Sequence, residues 1–204
     1  LEGLISGKPE IKSLLRLADI YKNKGEYSSS INTFNSILEL DEKNIVALYN
    51  VGILYKNQNK TQASITNLEK YIRLKPEDLQ TKKILGDLLI ENKEFDKAAE
   101  IIKNILVAEN TNLEYRYKYA YVLYKLKNYP DAAKNFNIIL ENKKKISREI
   151  LTEVYKKMGD ILNEQQNLLP AKEFYLSGYN INPSDEEIIN KLSKTLYQLG
   201  KDAY

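Results

Sequence analysis

Small residues recur along this chain at a constant spacing, and this periodicity is the strongest constraint on its fold. One set follows every 34 residues, at Ala18, Gly52, Gly86 and Ala120. A second set lies 12 residues after each member of the first, at Ser30, Ser64, Ala98 and Ala132. A fifth pair keeps the offset of 12 but comes five residues late, at Gly159 and Ala171. Such a period is typical of repeat proteins, in which each repeat packs against its neighbours.

The period divides the chain into five repeats with a further segment at each end. The predicted repeats are 11–44, 45–78, 79–112, 113–146 and 152–185. We expect residues 1–10 to be the end of a longer upstream region, since the chain begins with leucine. Residues 186–204 are expected to form a capping helix, which covers the last hairpin and turns a polar face to water.

Apolar residues within each repeat have the spacing of two helices. In the first repeat, steps of three, four and seven residues link Leu14, Leu17, Tyr21 and then Ile31, Phe34, Ile37. A short polar break such as 23–26 separates the two sets, so each repeat is predicted to be a helical hairpin. Two helices of roughly 13 to 15 residues per repeat, plus the capping helix, make eleven helices and no strand. Capping boxes are predicted at Thr111–Glu114 and Ser184–Glu187.

The small residues have a predicted structural purpose. Glycine in a helix costs about 1 kcal/mol relative to alanine, so something must compensate for it. Close approach of the paired helices is the expected compensation. We therefore predict that Gly52, Gly86 and Gly159 are buried where the two helices of a hairpin cross.

This pattern resembles the tetratricopeptide repeat (TPR), which shares the 34-residue period and the paired small positions. Its large positions are matched on the first helices by Tyr21, Tyr55, Leu89, Leu123 and Leu162, and on the second helices by Phe34, Leu68, Ile102, Phe136 and Tyr175. The family's opening tryptophan is absent, because the chain has no tryptophan. The resemblance implies an all-α fold, a right-handed superhelical solenoid of antiparallel helical hairpins that ends in a capping helix.

Composition excludes several classes of function. The chain has no histidine and no cysteine, which removes the usual general base, thiol nucleophiles and nearly all zinc sites. We therefore predict no enzymatic activity, no catalytic residue, no metal site and no cofactor. The net charge of +3 is too small for a typical nucleic-acid-binding protein. No apolar run approaches the roughly 18 to 20 residues of a transmembrane helix, so no transmembrane segment is expected.

Stacked hairpins of this kind create a concave groove lined by the first helix of each repeat. The residues that we predict to bind a peptide there are Tyr49, Asn50, Ile53, Lys83, Asp87, Tyr117, Lys118 and Tyr121. Tyrosine is enriched at recognition surfaces, and asparagine can bond the backbone of an extended peptide. For Tyr117 and Tyr121, packing inside the array is an equally good alternative. In the fifth repeat, the groove is expected to be lined by Lys156, Lys157, Asp160 and Asn163.

The predicted function is that of a scaffold that binds a partner peptide or helix in its groove, with self-association also open. Two alternatives remain: a cell-envelope assembly or lipoprotein-type TPR module, and a regulatory arm of a larger enzyme. Abundant Lys, Asn and Ile resemble proteins of AT-rich bacterial genomes. The compartment is not defined by these residues. The cytoplasm is favoured, and a periplasmic or envelope location would follow if an upstream signal had been removed.

Overall fold

The computed structural model describes residues 2–201, with side chains from residue 10 onward. Within that range the chain forms eleven α-helices and no strand, as predicted. Their bounds are α1 Glu2–Asn23, α2 Tyr27–Leu40, α3 Ile45–Asn57, α4 Thr61–Leu74, α5 Leu79–Glu91, α6 Phe95–Ala108, α7 Leu113–Lys125, α8 Tyr129–Glu141, α9 Arg148–Glu164, α10 Leu168–Ile181 and α11 Glu186–Lys201. Residue 1 and residues 202–204, parts of the predicted terminal segments, lie outside the described residues.

The chain divides into two compact units between Glu94 and Phe95. In the first unit, α1 packs with α2 and α3 packs with α4, each pair forming a hairpin. In the second unit, α7 packs with α8 and α9 packs with α10, and α11 packs against α10. Each unit has its own apolar core, which contains Phe34 and Val51 in the first and Phe136 and Met158 in the second.

The small residues lie at the helix crossings, as predicted. Gly52, Gly86 and Gly159 are all buried. A Cβ atom added to Gly52 would come within 2.5 Å of Leu68 on the paired helix, and one on Gly159 within 2.5 Å of the Tyr175 ring. Each of these two glycines therefore makes room for a large side chain of the second helix.

The serines of the second small set make a bond that the periodicity did not predict. The Ser30 hydroxyl donates to the carbonyl oxygen of Ala18 at 2.9 Å, and the Ser64 hydroxyl to that of Gly52 at 2.7 Å. Both hydroxyls are buried, where a polar group without a partner would be costly. The small residue on the first helix leaves its carbonyl within reach, so the two small sets contact each other directly.

Every hairpin turn contains one residue in the left-handed conformation. These residues have φ between 57° and 78°, and they are Gly25, Asn59, Lys93, Lys127 and Gln166. They repeat with the same period and the same slip as the small residues. Only the first is glycine, although side chains other than glycine and asparagine rarely adopt this conformation. The sequence gives little sign of the turn geometry for that reason.

The two predicted capping boxes are wrong by one residue. Helix α7 is capped by Asn112, whose side-chain oxygen accepts from the Tyr115 amide at 3.1 Å. Helix α11 is capped by Asp185, which accepts from the Ile188 amide at 3.0 Å. Asparagine and aspartate cap at least as well as threonine and serine, and each helix begins one residue later than predicted.

The five-residue slip is absorbed between α8 and α9. A short 3-10 helix, Lys143–Lys145, follows α8, and Ser147 caps α9. Helix α9 begins eleven residues before its small residue Gly159, whereas α3 and α5 begin seven residues before theirs. The four additional residues amount to about one helical turn. With 17 residues, α9 exceeds the predicted helix length, as does α1 with 22, because the described part of segment 1–10 continues the first helix.

Candidate functional site

The first candidate surface is formed by Tyr49, Asn50 and Ile53 of α3, here called the α3 patch, and all three side chains are half-buried. The side-chain oxygen of Asn50 accepts from the Lys22 ammonium at 2.9 Å, which joins α3 to α1. The Asn50 amide nitrogen donates to the Val46 carbonyl at 2.8 Å. A peptide that bonds Asn50 would therefore have to replace one of these internal bonds.

Tyr49 packs partly against its own hairpin. Its ring centroid lies 5.4 Å from that of Tyr71 on α4. The Tyr71 hydroxyl donates to Asp78 at 2.9 Å, and Asp78 caps α5. Burial, with a smaller contribution from this bond, raises the pKa of Tyr71 to about 12. One face of the Tyr49 ring is thus fixed by a neutral, hydrogen-bonded tyrosine.

Helix α5 contributes the two charged residues of the prediction. Lys83 is half-buried and Asp87 is exposed. Four residues apart, they lie on the same side of the helix. They therefore place a positive and a negative group side by side on the first helix of the third repeat.

The second candidate surface is formed by Tyr117, Lys118 and Tyr121 of α7, here called the α7 patch. The Tyr121 ring makes an edge contact with Phe95, at 6.5 Å between centroids. The Lys125 ammonium lies 5.3 Å from the centre of the Tyr121 ring, within range of a cation–π interaction. Phe95 and Lys125 were not among the predicted site residues, and they extend the aromatic and basic character of this surface.

Tyr117 and Tyr121, for which packing and recognition were both open, differ in their surroundings. The Tyr117 ring lies 6.4 Å from Phe136, a fully buried residue of the core, and 6.3 Å from Tyr121. Burial raises the pKa of Tyr117, and the nearby charge of Glu153 raises it further. These contacts support a packing role for Tyr117. The contacts of Tyr121 with Phe95 and Lys125 leave recognition open for it.

The fifth repeat departs from the prediction, because its first helix is covered rather than open. Lys156 is 3% exposed and Asp160 is 7% exposed. Lys157 is also buried, and Asn163 is half-buried. The Lys156 ammonium bonds Asp185 at 3.2 Å and Glu187 at 2.8 Å, both at the start of α11. These side chains are therefore occupied by the helix that follows them in the chain.

Asp160 is the centre of a buried polar cluster. It accepts hydrogen bonds from the hydroxyls of Tyr124 on α7, at 3.1 Å, and Tyr175 on α10, at 2.9 Å. The Lys191 ammonium on α11 bonds the same carboxylate, and that of Lys157 lies 3.8 Å away. One carboxylate thus joins α9 to three other helices. Sequence reasoning had assigned Asp160 to an open face because it could not place α11 over it.

The charges around Lys156 shift each other's ionisation. Burial lowers the pKa of Lys156, but hydrogen bonds to Glu153 and Glu187 outweigh it and leave that pKa raised. Burial acts to raise the pKa of Glu187, whereas bonds from Lys156 and Lys191 lower it to about 2. Glu187 is therefore ionised well below the pH at which a free glutamate takes up its proton.

This shift predicts how stability depends on pH. Because the folded-state pKa of Glu187 lies below its ordinary value of 4.5, its stabilising contribution is complete above about pH 4.5 and disappears as pH falls to about 2. We expect Glu187→Gln to melt a few degrees below the wild-type chain at pH 6 and at nearly the same temperature at pH 2.

Circular dichroism melting curves at several pH values measure this difference. Glu186→Gln is the control, since Glu186 is the exposed neighbour in the same first turn. Its difference from the wild-type chain should be small at every pH. A gap between Glu187→Gln and the wild-type chain that stays constant from pH 6 to pH 2 would contradict the assignment.

The described residues carry no cluster of acidic side chains arranged to hold a metal ion. None of the helices over residues 2–201 has both the length and the apolar character needed to cross a membrane. What the described surfaces offer is aromatic rings, amides and mixed charges on the first helices. Such groups suit the binding of a polypeptide.

Two family models match the chain. The model described as tetratricopeptide repeat matches residues 11–44, and the model described as anaphase-promoting complex, cyclosome, subunit 3 matches residues 57–137. The chain is 24% identical over 208 residues to DnaJ homolog subfamily C member 3 of Gallus gallus, covering 94% of this chain and 40% of that protein. It is 27% identical over 155 residues to a TPR repeat-containing protein of Methanocaldococcus jannaschii, covering 70% and 27%. The chain thus spans less than half the length of these relatives.

Solved structures show the same fold. YrrB, described as a TPR protein with an unusual peptide-binding site, matches with a TM-score of 0.70 and 17% identity, covering 87% of this chain and 89% of that one. The MamA protein matches with a TM-score of 0.64 and 16% identity, covering 85% and 92%. At these identities the likeness concerns the fold. It confirms the predicted all-α fold of TPR-like hairpins.

Proposed function

This chain is a tetratricopeptide-repeat protein, and we propose that it binds a peptide or helix of a partner protein on the exposed faces of its first helices. Repeats of this family serve generally as protein–protein interaction modules. The finer proposal concerns where the partner binds and what kind of segment it offers. It includes no chemical step, because the chain has neither histidine nor cysteine.

One observation carries the proposal: the α3 patch and the α7 patch occupy the same positions of their repeats. Tyr117 follows Tyr49 by 68 residues, which is two periods, and the same spacing relates Lys118 to Asn50 and Tyr121 to Ile53. Each patch therefore offers an aromatic ring, a long or amide-bearing polar side chain and a second apolar group, in that order. Lys83 and Asp87 stand at the corresponding outer positions of the third repeat.

The chemistry of these positions suits a polypeptide ligand. Tyrosine rings provide apolar area with a polar edge, and the Asn50 amide and the Lys118 ammonium can bond a peptide backbone or a carboxylate. The mixed charges of Lys83 and Asp87 would orient a segment that carries both signs. YrrB, a protein of the same fold, is described as having a peptide-binding site, which adds support for a peptide as the ligand class.

The test begins with a partner identified by affinity capture and mass spectrometry, from which a binding segment is prepared. Its affinity is then measured for the wild-type chain and for Tyr121→Ala. We expect Tyr121→Ala to weaken binding about tenfold or more, as for the truncation of an aromatic anchor. Tyr117 is left intact because its contact with Phe136 would confuse binding with stability.

A matched control is Leu169→Ala. Leu169 is apolar and 63% exposed, but it lies on α10, a second helix. The control should leave the affinity unchanged, and both variants should keep their helical circular dichroism spectrum. An affinity that Tyr121→Ala leaves unchanged, or that both variants lower equally, would count against the first helices as the binding surface.

A further inference from the structure

Helix α11 repeats the pattern of the first helix of a hairpin. Its cap, Asp185, precedes the small residue Ser193 by eight residues, just as Asn112 precedes Ala120. Ser193, Leu196 and Gly200 each follow their counterparts in the fifth repeat by one period, the counterparts being Gly159, Leu162 and Gln166. Gly200 therefore occupies the position that is left-handed in each of the five hairpin turns.

The exposure of these positions differs from that in the five hairpins. Leu196 is 50% exposed, whereas its counterparts Leu89 and Leu123 are 0% and 6% exposed. Ser193 is exposed, whereas the small residues of all five hairpins are buried. The reason is that a second helix lies over these positions in the hairpins, and none lies over α11 in the part of the chain that the structure describes.

The exposed residues form a continuous stripe. Ile189, Ser193, Leu196 and Gly200 follow one another at steps of four, three and four residues, so they lie on one side of α11. We call this side the open face. The opposite side is already used, since Ile188 and Thr195 are buried and Ile188 lies against Gly178 of α10. The open face is thus a second apolar surface, distinct from the one that covers the last hairpin.

We propose that the open face of α11 binds an amphipathic helix with the second-helix pattern of this chain, completing a sixth hairpin. That pattern is a small residue, a large apolar residue four positions later and another apolar residue at seven. It occurs at Ser30, Phe34 and Ile37, at Ala98, Ile102 and Ile105, and at Ala132, Phe136 and Ile139. These residues are buried in each case. The proposal concerns a different surface from the α3 and α7 patches and does not depend on a ligand there.

Two features of the molecule select this occupant. The open face continues the packing of α9, α10 and α11, so a helix placed on it would stand in the same relation to α11 as α10 does to α9. The face also lacks a large side chain at its centre, where Ser193 stands. This gap has the shape into which Leu68 and Tyr175 fit beside Gly52 and Gly159.

The experiment supplies such a helix in register. The full chain is extended after Tyr204 by a copy of residues 132–142, which places copies of Ala132, Phe136 and Ile139 one period after Ala171, Tyr175 and Gly178. A control extension has serine in place of the copies of Phe136 and Ile139. We expect the first extension to raise the melting temperature by about 5 °C or more over the control extension.

Two substitutions in the extended chain show whether the open face is responsible. Leu196→Ser should abolish the rise, whereas Val107→Ser should preserve it, since Val107 is 79% exposed on α6. Equal melting temperatures of the two extensions, or a rise that survives Leu196→Ser, would overturn the proposal. Light scattering on the chain without an extension should give a monomer mass. A dimer that Leu196→Ser dissociates would also overturn it, by showing that a second copy takes the face.

Discussion

Replacing Asp160 by alanine is expected to lower the free energy of unfolding by about 3–5 kcal/mol, the range found when one partner of a buried ion pair is removed. The carboxylate accepts from Tyr124 and Tyr175 and neutralises Lys157 and Lys191. Without it, two hydroxyls lose their acceptor and Lys157 keeps a buried charge. Urea unfolding followed by circular dichroism measures the loss, and a comparison of slopes shows whether unfolding stays two-state.

The chain contains its own control for this experiment. Asp19 occupies the same repeat position in the first repeat, but its carboxylate is 52% exposed and pairs with Lys22 at 2.7 Å on the surface. Asp19→Ala should change the free energy of unfolding by less than about 1 kcal/mol, as for exposed ion pairs. Similar losses for the two variants would show that the buried cluster around Asp160 contributes little.

Gly159→Ala is expected to lower the free energy of unfolding by about 1–3 kcal/mol, although helix propensity alone predicts a gain of about 1 kcal/mol. The added methyl group would meet the Tyr175 ring at 2.5 Å. That ring is 2% exposed, and its hydroxyl is bonded to Asp160, so it has no free space into which to withdraw. The sign of the change therefore distinguishes steric conflict from propensity.

Gly200→Ala provides the matched comparison. Gly200 is also helical, and a Cβ atom there would meet nothing within 4 Å. Its substitution should leave stability unchanged or raise it by up to about 1 kcal/mol. Thermal melting of the two variants under the same conditions decides the matter. A gain for both would mean that the first helix and Tyr175 move apart at little cost.

The sequence predicted the repeats well because small residues are required wherever two helices cross closely. The period of Gly52, Gly86 and Gly159 therefore follows from packing, and helix number and pairing follow from the period. The turn geometry could not be predicted in the same way. Lys93, Lys127 and Gln166 adopt a left-handed conformation that their side chains disfavour, so the hairpin imposes it on them.

The candidate site was less accessible to sequence reasoning. Projecting one helix at a time places Tyr117 and Asp160 on the same kind of face, but it cannot show which neighbouring helix covers that face. The Tyr117 ring meets Phe136, and Asp160 meets Lys191 of α11. The charge pairs that surround Lys156 depend on the first turn of α11 for two of their three partners. Such long-range contacts leave no periodic signal.

The way in which the chain absorbs its five-residue slip has a practical consequence. The added length is divided between the 3-10 helix Lys143–Lys145 and one more turn at the start of α9, and the small residues beyond it keep their spacing from one another. The junction between Glu141 and Arg148 is thus a naturally occurring insertion point at which the array accepts extra residues. An epitope, a fluorophore attachment site or a tether to a surface could be introduced there, leaving both termini and the first-helix faces available for other uses.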